Sequence, residues 1–311
     1  MPASPPPAAK SSYRSITVLQ AITPLDTKAL FSAAHQPGKQ SPIDQFIANT
    51  NAINIIYLPP NISITPELGT LVILGYMSAV ESYFRALIRG LINIDTHARL
   101  LAEPLNVSFG AALHHKPALL PEAILEEISF AGKHNIEKTF SDLLGIKGAV
   151  PNEVSTVLEE YKKICEIRHC CVHRFGRLGA NNAIKLGLSD HSIVLEKPFT
   201  PTKDNLQEIA DLLRTFVKTV NNYIFHSVLD RTSAINAFDG KVTYDNWTWN
   251  YTKDRSRFSK YYGLFASASD SPASASAKDL YNSFKDTVAD IRAKKAAKMG
   301  TKYKQKPGGK P

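Results

Sequence analysis

Ile164-Cys165-Glu166-Ile167-Arg168-His169-Cys170-Cys171-Val172-His173-Arg174-Phe175-Gly176 decides how the chain is read. It gathers all three cysteines, two histidines, two arginines and a closing glycine into thirteen positions. Upstream, Val154, Val157, Leu158, Tyr161, Ile164 and Cys165 recur at spacings of three and four, the period of one face of a helix. Pro151-Asn152-Glu153 opens that helix, with proline and an acid in the first turn. Gly176 closes it as a left-handed cap.

The flanking segments follow the same period. Thr65-Pro66-Glu67 starts a long helix through Leu71, Leu74, Met77, Phe84 and Ile92, with Glu81 and Arg85 one turn apart. Short helices are expected over 121–130 and 135–144, and a loop with one helical turn over 97–118. Thr202 caps a helix carrying Leu206, Ile209, Leu213, Phe216, Val220, Ile224 and Val228. Between 183 and 195 the apolar period shortens to two around Ser189-Asp190-His191, which predicts a β-hairpin. Ile16-Thr17-Val18-Leu19 and the run 53–58 are β-like, while 27–31 and 42–48 read as short helices. The expected fold is mainly α, a helical bundle with a small hairpin insertion and irregular N- and C-terminal extensions.

Composition and punctuation suggest five segments. Residues 1–15, rich in Pro, Ala and Ser, read as a disordered N-terminus, and 16–64 as an N-terminal extension. The helical domain spans 65–230. An aromatic and basic extension, 231–266, precedes a Ser/Ala linker and basic tail, 267–311. The net charge of +9 is concentrated in that tail, where positions 278–311 hold ten Lys/Arg against three Asp. The body is nearly neutral, so the charge describes a terminus that either adds non-specific attraction to phosphates or solubilises the chain.

Hydrophobic residues make up 43% and charged residues 21%, ordinary for a soluble globular protein. The start lacks the basic-then-apolar pattern of a secretory leader. The most apolar run, 68–94, is interrupted by Glu81, Arg85 and Arg89 and reads as a buried helix, without a membrane partner. Three cysteines clustered on one helix build no disulfide framework, which fits a reducing, cytoplasmic setting. Walker loops, dinucleotide fingerprints and catalytic triads are not visible.

Arg168 and His173 carry the chemistry of the central stretch. A guanidinium is permanently charged and forks onto phosphoryl oxygens, whereas an imidazole titrates near neutrality and moves protons. Together they meet the needs of RNA cleavage without a metal: a proton transfer at the 2′-hydroxyl or leaving oxygen, and stabilisation of the phosphorane. Five helical positions separate the two side chains by about 140° around the axis, wide for one site on one helix. A groove between two copies of the helix would collect both pairs, and a cap loosened at Gly176 would turn His173 inward. Geometry thus favours a homodimer with a composite site.

Arg168-His169-x-x-x-His173, late in a long helix of an all-helical context, resembles the motif of HEPN-domain ribonucleases. Ser78-Ala79-Val80-Glu81-Ser82-Tyr83-Phe84 is similar to the first core helix of several such families, and the similarity covers about 65–230. The resemblance implies a helical bundle, dimerisation through the motif helices and metal-independent endoribonuclease activity without a cofactor, leaving a 2′,3′-cyclic phosphate. Many members are toxins or anti-phage defence effectors, which implies RNA as substrate and an antitoxin or regulatory partner. By the same analogy Arg168 and His173 are catalytic and His169 shapes the site. Arg174 and Arg177 would hold flanking phosphates and Glu81 would orient a cationic group.

Plainer readings stand beside these. Arg174 and Arg177 suit the negative end of the helix dipole, and Glu81 suits a salt bridge to Arg85. Cys165, His169 and His173 at i, i+4 and i+8 form a stripe suited to zinc, with His114-His115 the only other cluster. Arg168 could pair with Glu160 or Glu166, leaving a non-catalytic RNA- or partner-binding module. The segment 244–262, with Trp247, Trp249, four tyrosines and four basic residues, either stacks bases or packs its aromatics onto the helical domain.

Overall fold

Helix α2 (Pro66–Ile94) is the axis of the molecule. The computed structural model describes residues 13, 16–17, 22–36, 38–233 and 247–304. Thr65 caps α2 by accepting from the Leu68 amide at 3.2 Å, and Pro66 occupies its first turn. Ile73, Tyr76, Val80, Tyr83, Phe84, Leu87, Ile88 and Leu91 are all buried along it. Each such side chain contributes about 1.5–3 kcal/mol on burial, so tertiary packing holds this helix. By length and composition it is also the one described helix that could cross a membrane, and 61% of the apolar window is buried among its neighbours.

Those neighbours are α1 (Pro42–Tyr57), α3 (Thr96–Ala102), α7 (Asn152–Arg174), α9 (Lys203–Thr232) and α10 (Tyr251–Phe265). The shorter α4 (Phe109–His114), α5 (Leu120–Leu125) and α6 (Lys133–Asp142) lie between α3 and α7 in the chain, and α8 (Ala180–His191) follows α7. The C-terminal helix α11 (Ala277–Lys304) packs against α10. Two aromatic stacks join the layers: Tyr161 of α7 lies on Phe216 of α9 with centroids 4.2 Å apart, and Phe84 of α2 lies on Phe130 at 5.3 Å. The mainly α expectation therefore holds, and among the described residues there is no strand, only an isolated bridge between Arg177 and Pro198.

Residues from Gln40 onward form one compact unit, and the stretch up to Lys39 forms another. The latter contains a 3-10 turn at Lys28–Leu30, where a short helix was expected. The β-like segment 16–19 and the N-terminal segment 1–15 fall largely outside the described residues, as do 305–311. In the larger unit, stretches set apart as extensions supply core helices. Asp44, at the start of α1, accepts from Ser267 Oγ at 2.5 Å and from the amides of Ala268 and Ser269 at 3.0 and 3.1 Å. The Ser/Ala linker is thereby docked at its first residues. Asp95 joins three further elements: it caps α3, accepts from buried Arg231 of α9 at 2.5 Å, and accepts from Tyr261 of α10 at 3.0 Å.

Two local expectations are corrected. The β-like run 53–58 belongs almost entirely to α1, which Ser41 caps and Pro42 begins. Ile53 packs against Gly75 of α2, and Tyr57 bonds Tyr76 across the interface at 2.9 Å, so packing overrides the strand preference of β-branched residues. The hairpin expected over 183–195 is instead α8 followed by a 3-10 turn, Ser192–Val194. Glu166 explains the change: Asn182 donates to it at 2.7 Å and Lys185 at 3.0 Å. Residues three apart share a helix face but lie on opposite faces of a strand. Gly187, at φ +105, kinks the helix within the expected first strand, and the expected turn Ser189-Asp190-His191 lies in the helix's last residues.

Candidate functional site

Helix α7 presents the side chains singled out in its sequence on two different surfaces. Leu158, Tyr161, Ile164 and Cys165 are buried on its inner side, while Arg168 stands at the edge of that packing and is half-buried. Arg168 lines a crevice of about 110 Å³ with Tyr161 of its own helix and Leu74, Met77, Ser78 and Glu81 of α2. Seven residues separate Tyr161 from Arg168, close to two full turns, which places both on one face. No hydrogen bond or ion pair to Arg168 occurs among the described residues. Glu160, one partner considered for it, is bound to Lys163 at 2.7 Å, and Glu166, the other, to Lys185.

Ser78 and Glu81 also line a polar groove of about 300 Å³ that runs on past Ser82, Arg85 and Arg89 to Glu122. Its cations are compensated: Arg85 pairs with Glu81 at 3.3 Å, and Arg89 with Glu122 at 2.9 Å. Arg85 also donates to the carbonyls of Leu125 and Ile128, so it ties α2 to the α5 region. Glu81 accordingly has the Arg85 partner expected on structural grounds, and it also faces the crevice that Arg168 enters.

His169 and His173 are exposed one turn apart, their ring centroids 4.5 Å from each other. Neither has a hydrogen-bond partner among the described residues. The helix continues regularly to Arg174, so His173 is not turned inward by a loosened cap. Phe175 and Gly176 both take positive φ, and both amides donate to the Cys170 carbonyl. A side chain at Gly176 would meet Thr70 Oγ1 at 3.0 Å, so α2 approaches this turn too closely for a larger residue. Arg174 is engaged with Glu196 at 2.5 Å, whereas the exposed Arg177 has no side-chain partner among the described residues.

No family model, curated protein or solved structure matches the chain. The site is therefore defined by its own geometry.

Burial pushes the Cys165 thiol up to about 12 and that of Cys171 up to about 11, so both are protonated, inert core residues at neutral pH. Burial likewise holds Tyr161 well above the usual phenol range, as a neutral donor to the Phe130 carbonyl at 2.8 Å. Cys165 faces the core and the two histidines face outward, so the i, i+4, i+8 stripe does not converge on a point. Among the described residues no group of three or more His, Cys, Asp or Glu is arranged to hold a metal ion.

The aromatic segment packs inward. Trp247 is 5% exposed, donates to Thr232 at 3.0 Å and carries the Arg257 guanidinium 4.1 Å above its ring. Trp249 contacts Phe284 of α11 and is covered by Arg292. Sequence reasoning missed Tyr161 and Ser78 as neighbours of Arg168. The signal for Tyr161 was its two-turn spacing on the same helix, while Ser78 required knowing how α2 packs on α7.

Proposed function

We propose that the chain is a HEPN-type endoribonuclease that cleaves RNA without a metal, working as a homodimer in the cytoplasm, in the manner of a toxin or anti-phage effector. The observation that carries the reading is Arg168, an arginine with no ion-pair partner among the described residues that lines a crevice beside α2. His169, the next residue, and His173, one turn further on, have no hydrogen-bond partner among the described residues. A guanidinium left unpaired at the edge of a core retains its capacity for a phosphate, because no carboxylate has neutralised it.

The bond-making step is attack of the ribose 2′-oxygen on phosphorus, with expulsion of the 5′-oxygen. His173 moves the proton, either from the 2′-hydroxyl or onto the leaving oxygen, and Arg168 stabilises the charge that builds on the phosphorane. The products are a 2′,3′-cyclic phosphate and a 5′-hydroxyl. Within one chain the two residues lie about 140° apart around α7, so the working site takes Arg168 from one protomer and His173 from the other. Leu71, Val172 and Phe175, exposed by 65, 45 and 74%, supply apolar surface on α2 and α7 for that pairing.

The same angular separation favours one alternative, a HEPN-like module that binds RNA or a protein partner without cutting. Incubation of structured and unstructured RNA with the protein in EDTA separates the two. Cleavage that survives the chelator and is lost in Arg168→Ala and in His173→Ala supports the nuclease. Binding without cleavage, unchanged in both variants, supports the module.

A further inference from the structure

A second, more apolar space lies on the other side of α7. A cavity of about 610 Å³ opens between α7, α8 and the segment that follows, within the size range of small-molecule sites. Its walls are mostly apolar: Ile167 from α7, Leu186 from α8, and Val194, Pro198 and Phe199 from the return segment. Three groups that can carry positive charge reach it, Lys163, His191 and Lys197, and no carboxylate lines it.

Three acids on α7 and the return segment are already paired with cations. Glu160 binds Lys163 at 2.7 Å, Glu166 binds Lys185 at 3.0 Å, and Glu196 binds Arg174 at 2.5 Å. Lys197 lines the cavity, is exposed and has no side-chain partner among the described residues, so its ammonium is not neutralised by a carboxylate there. His191 is fixed there by its Nδ1, which bonds the Gly187 carbonyl at 2.8 Å. The part of the wall that carries His191 and Val194 lies between two positive-φ residues, Gly187 at φ +105 and Glu196 at φ +61. It also exposes apolar side chains, Leu188 at 44% and Ile193 at 84%.

We infer that this cavity is a binding site for an amphipathic monoanion, an aliphatic carboxylate whose chain lies against Ile167, Leu186 and Phe199 and whose headgroup meets Lys197. Apolar walls alone would accept any hydrocarbon. The unpaired cation and the absence of a lining carboxylate select an anionic end, because an ammonium not neutralised by the protein, at the rim of an apolar pocket, is stabilised by an opposite charge on the ligand. The inference is independent of the ribonuclease reading, since binding requires neither RNA nor Arg168.

Calorimetric titration of the full chain with sodium octanoate, nonanoate and decanoate tests it, with decanol as the uncharged control. The expected result is saturable one-to-one binding that tightens about fourfold per added methylene, with decanol at least about tenfold weaker. Lys197→Glu, a change on the exposed surface, removes the preference for carboxylate over alcohol. Leu186→Trp fills the cavity and abolishes both. Equal affinity for decanoate and decanol overturns the assignment, as does decanoate binding that survives both substitutions or is absent from the wild type.

Discussion

The rings of His169 and His173 lie 4.5 Å apart on the outer side of α7, while Arg168, next in sequence to one of them, enters a crevice against α2. Neighbours in sequence thus face different surfaces, and the proposed composite site would take two chains to reunite them. Mixing Arg168→Ala and His173→Ala proteins tests this. Each variant alone loses about 10²–10⁴ in cleavage rate. In a mixed symmetric dimer one of the two sites keeps both residues, so random reassembly restores about a quarter of wild-type activity. The rate of RNA cleavage after co-refolding is the measurement, and a mixture as inactive as its parts would rule out the shared site.

Gly176→Ala acts on the turn that ends the motif helix. The position has φ +83 and Thr70 Oγ1 would lie 3.0 Å from the new carbon, so strain and crowding add. A loss of about 1–3 kcal/mol is expected in urea denaturation. Gly187→Ala has the strain without the neighbour, because nothing lies within 4 Å of that site. Its cost is smaller, about 1 kcal/mol.

Asp44 predicts a pH dependence. Burial raises its pKa, but hydrogen bonds from Ser267, the amides of Ala268 and Ser269, and Ser41 outweigh that and leave it below the ordinary 3.8. A folded-state value below the unfolded one means the unfolded chain takes up protons first as pH falls. The stabilisation is fully present above pH 3.8 and is lost as pH drops through the lower folded value. Asp44→Asn should therefore be less stable than wild type at neutral pH, by about 1–3 kcal/mol. The gap should narrow below pH 3.8, as read by denaturant midpoints at each pH.

Trp247 offers an optical check on the role of the aromatic segment. With its ring 5% exposed and its Nε1 bonded to Thr232, it should emit in the blue and resist acrylamide quenching. RNA binding should leave that emission unchanged in a Trp249→Phe background. Quenching of Trp247 by RNA would instead require the segment to open as a stacking platform.

Helical period, caps and the apolar faces of α2, α7 and α9 were legible from residue order. A helix that buries one side must repeat its apolar residues every three or four positions whatever it packs against. The chemistry of Arg168, His169 and His173 was legible for the same local reason, since residue type and spacing suffice to state it. The hairpin at 183–195 was misread because alternating Ile184, Leu186 and Leu188 fit a strand until Glu166 of α7 claims Asn182 and Lys185 together. The run 53–58 was misread because only contact with α2 decides between its strand preference and a helix. The long-range bonds of Asp44, which holds residues 267–269 on α1, and of Asp95, which joins α9 and α10, gave no local signal, although Asp95 also caps α3. Their partners lie more than a hundred residues away, as with Ser267 for Asp44 and Arg231 for Asp95. Residue order marked the long helices α2, α7 and α9 and named the chemistry of which the motif's residue types are capable. Tertiary packing settled which groups are free to do it, because ion pairing and burial are relations between distant residues.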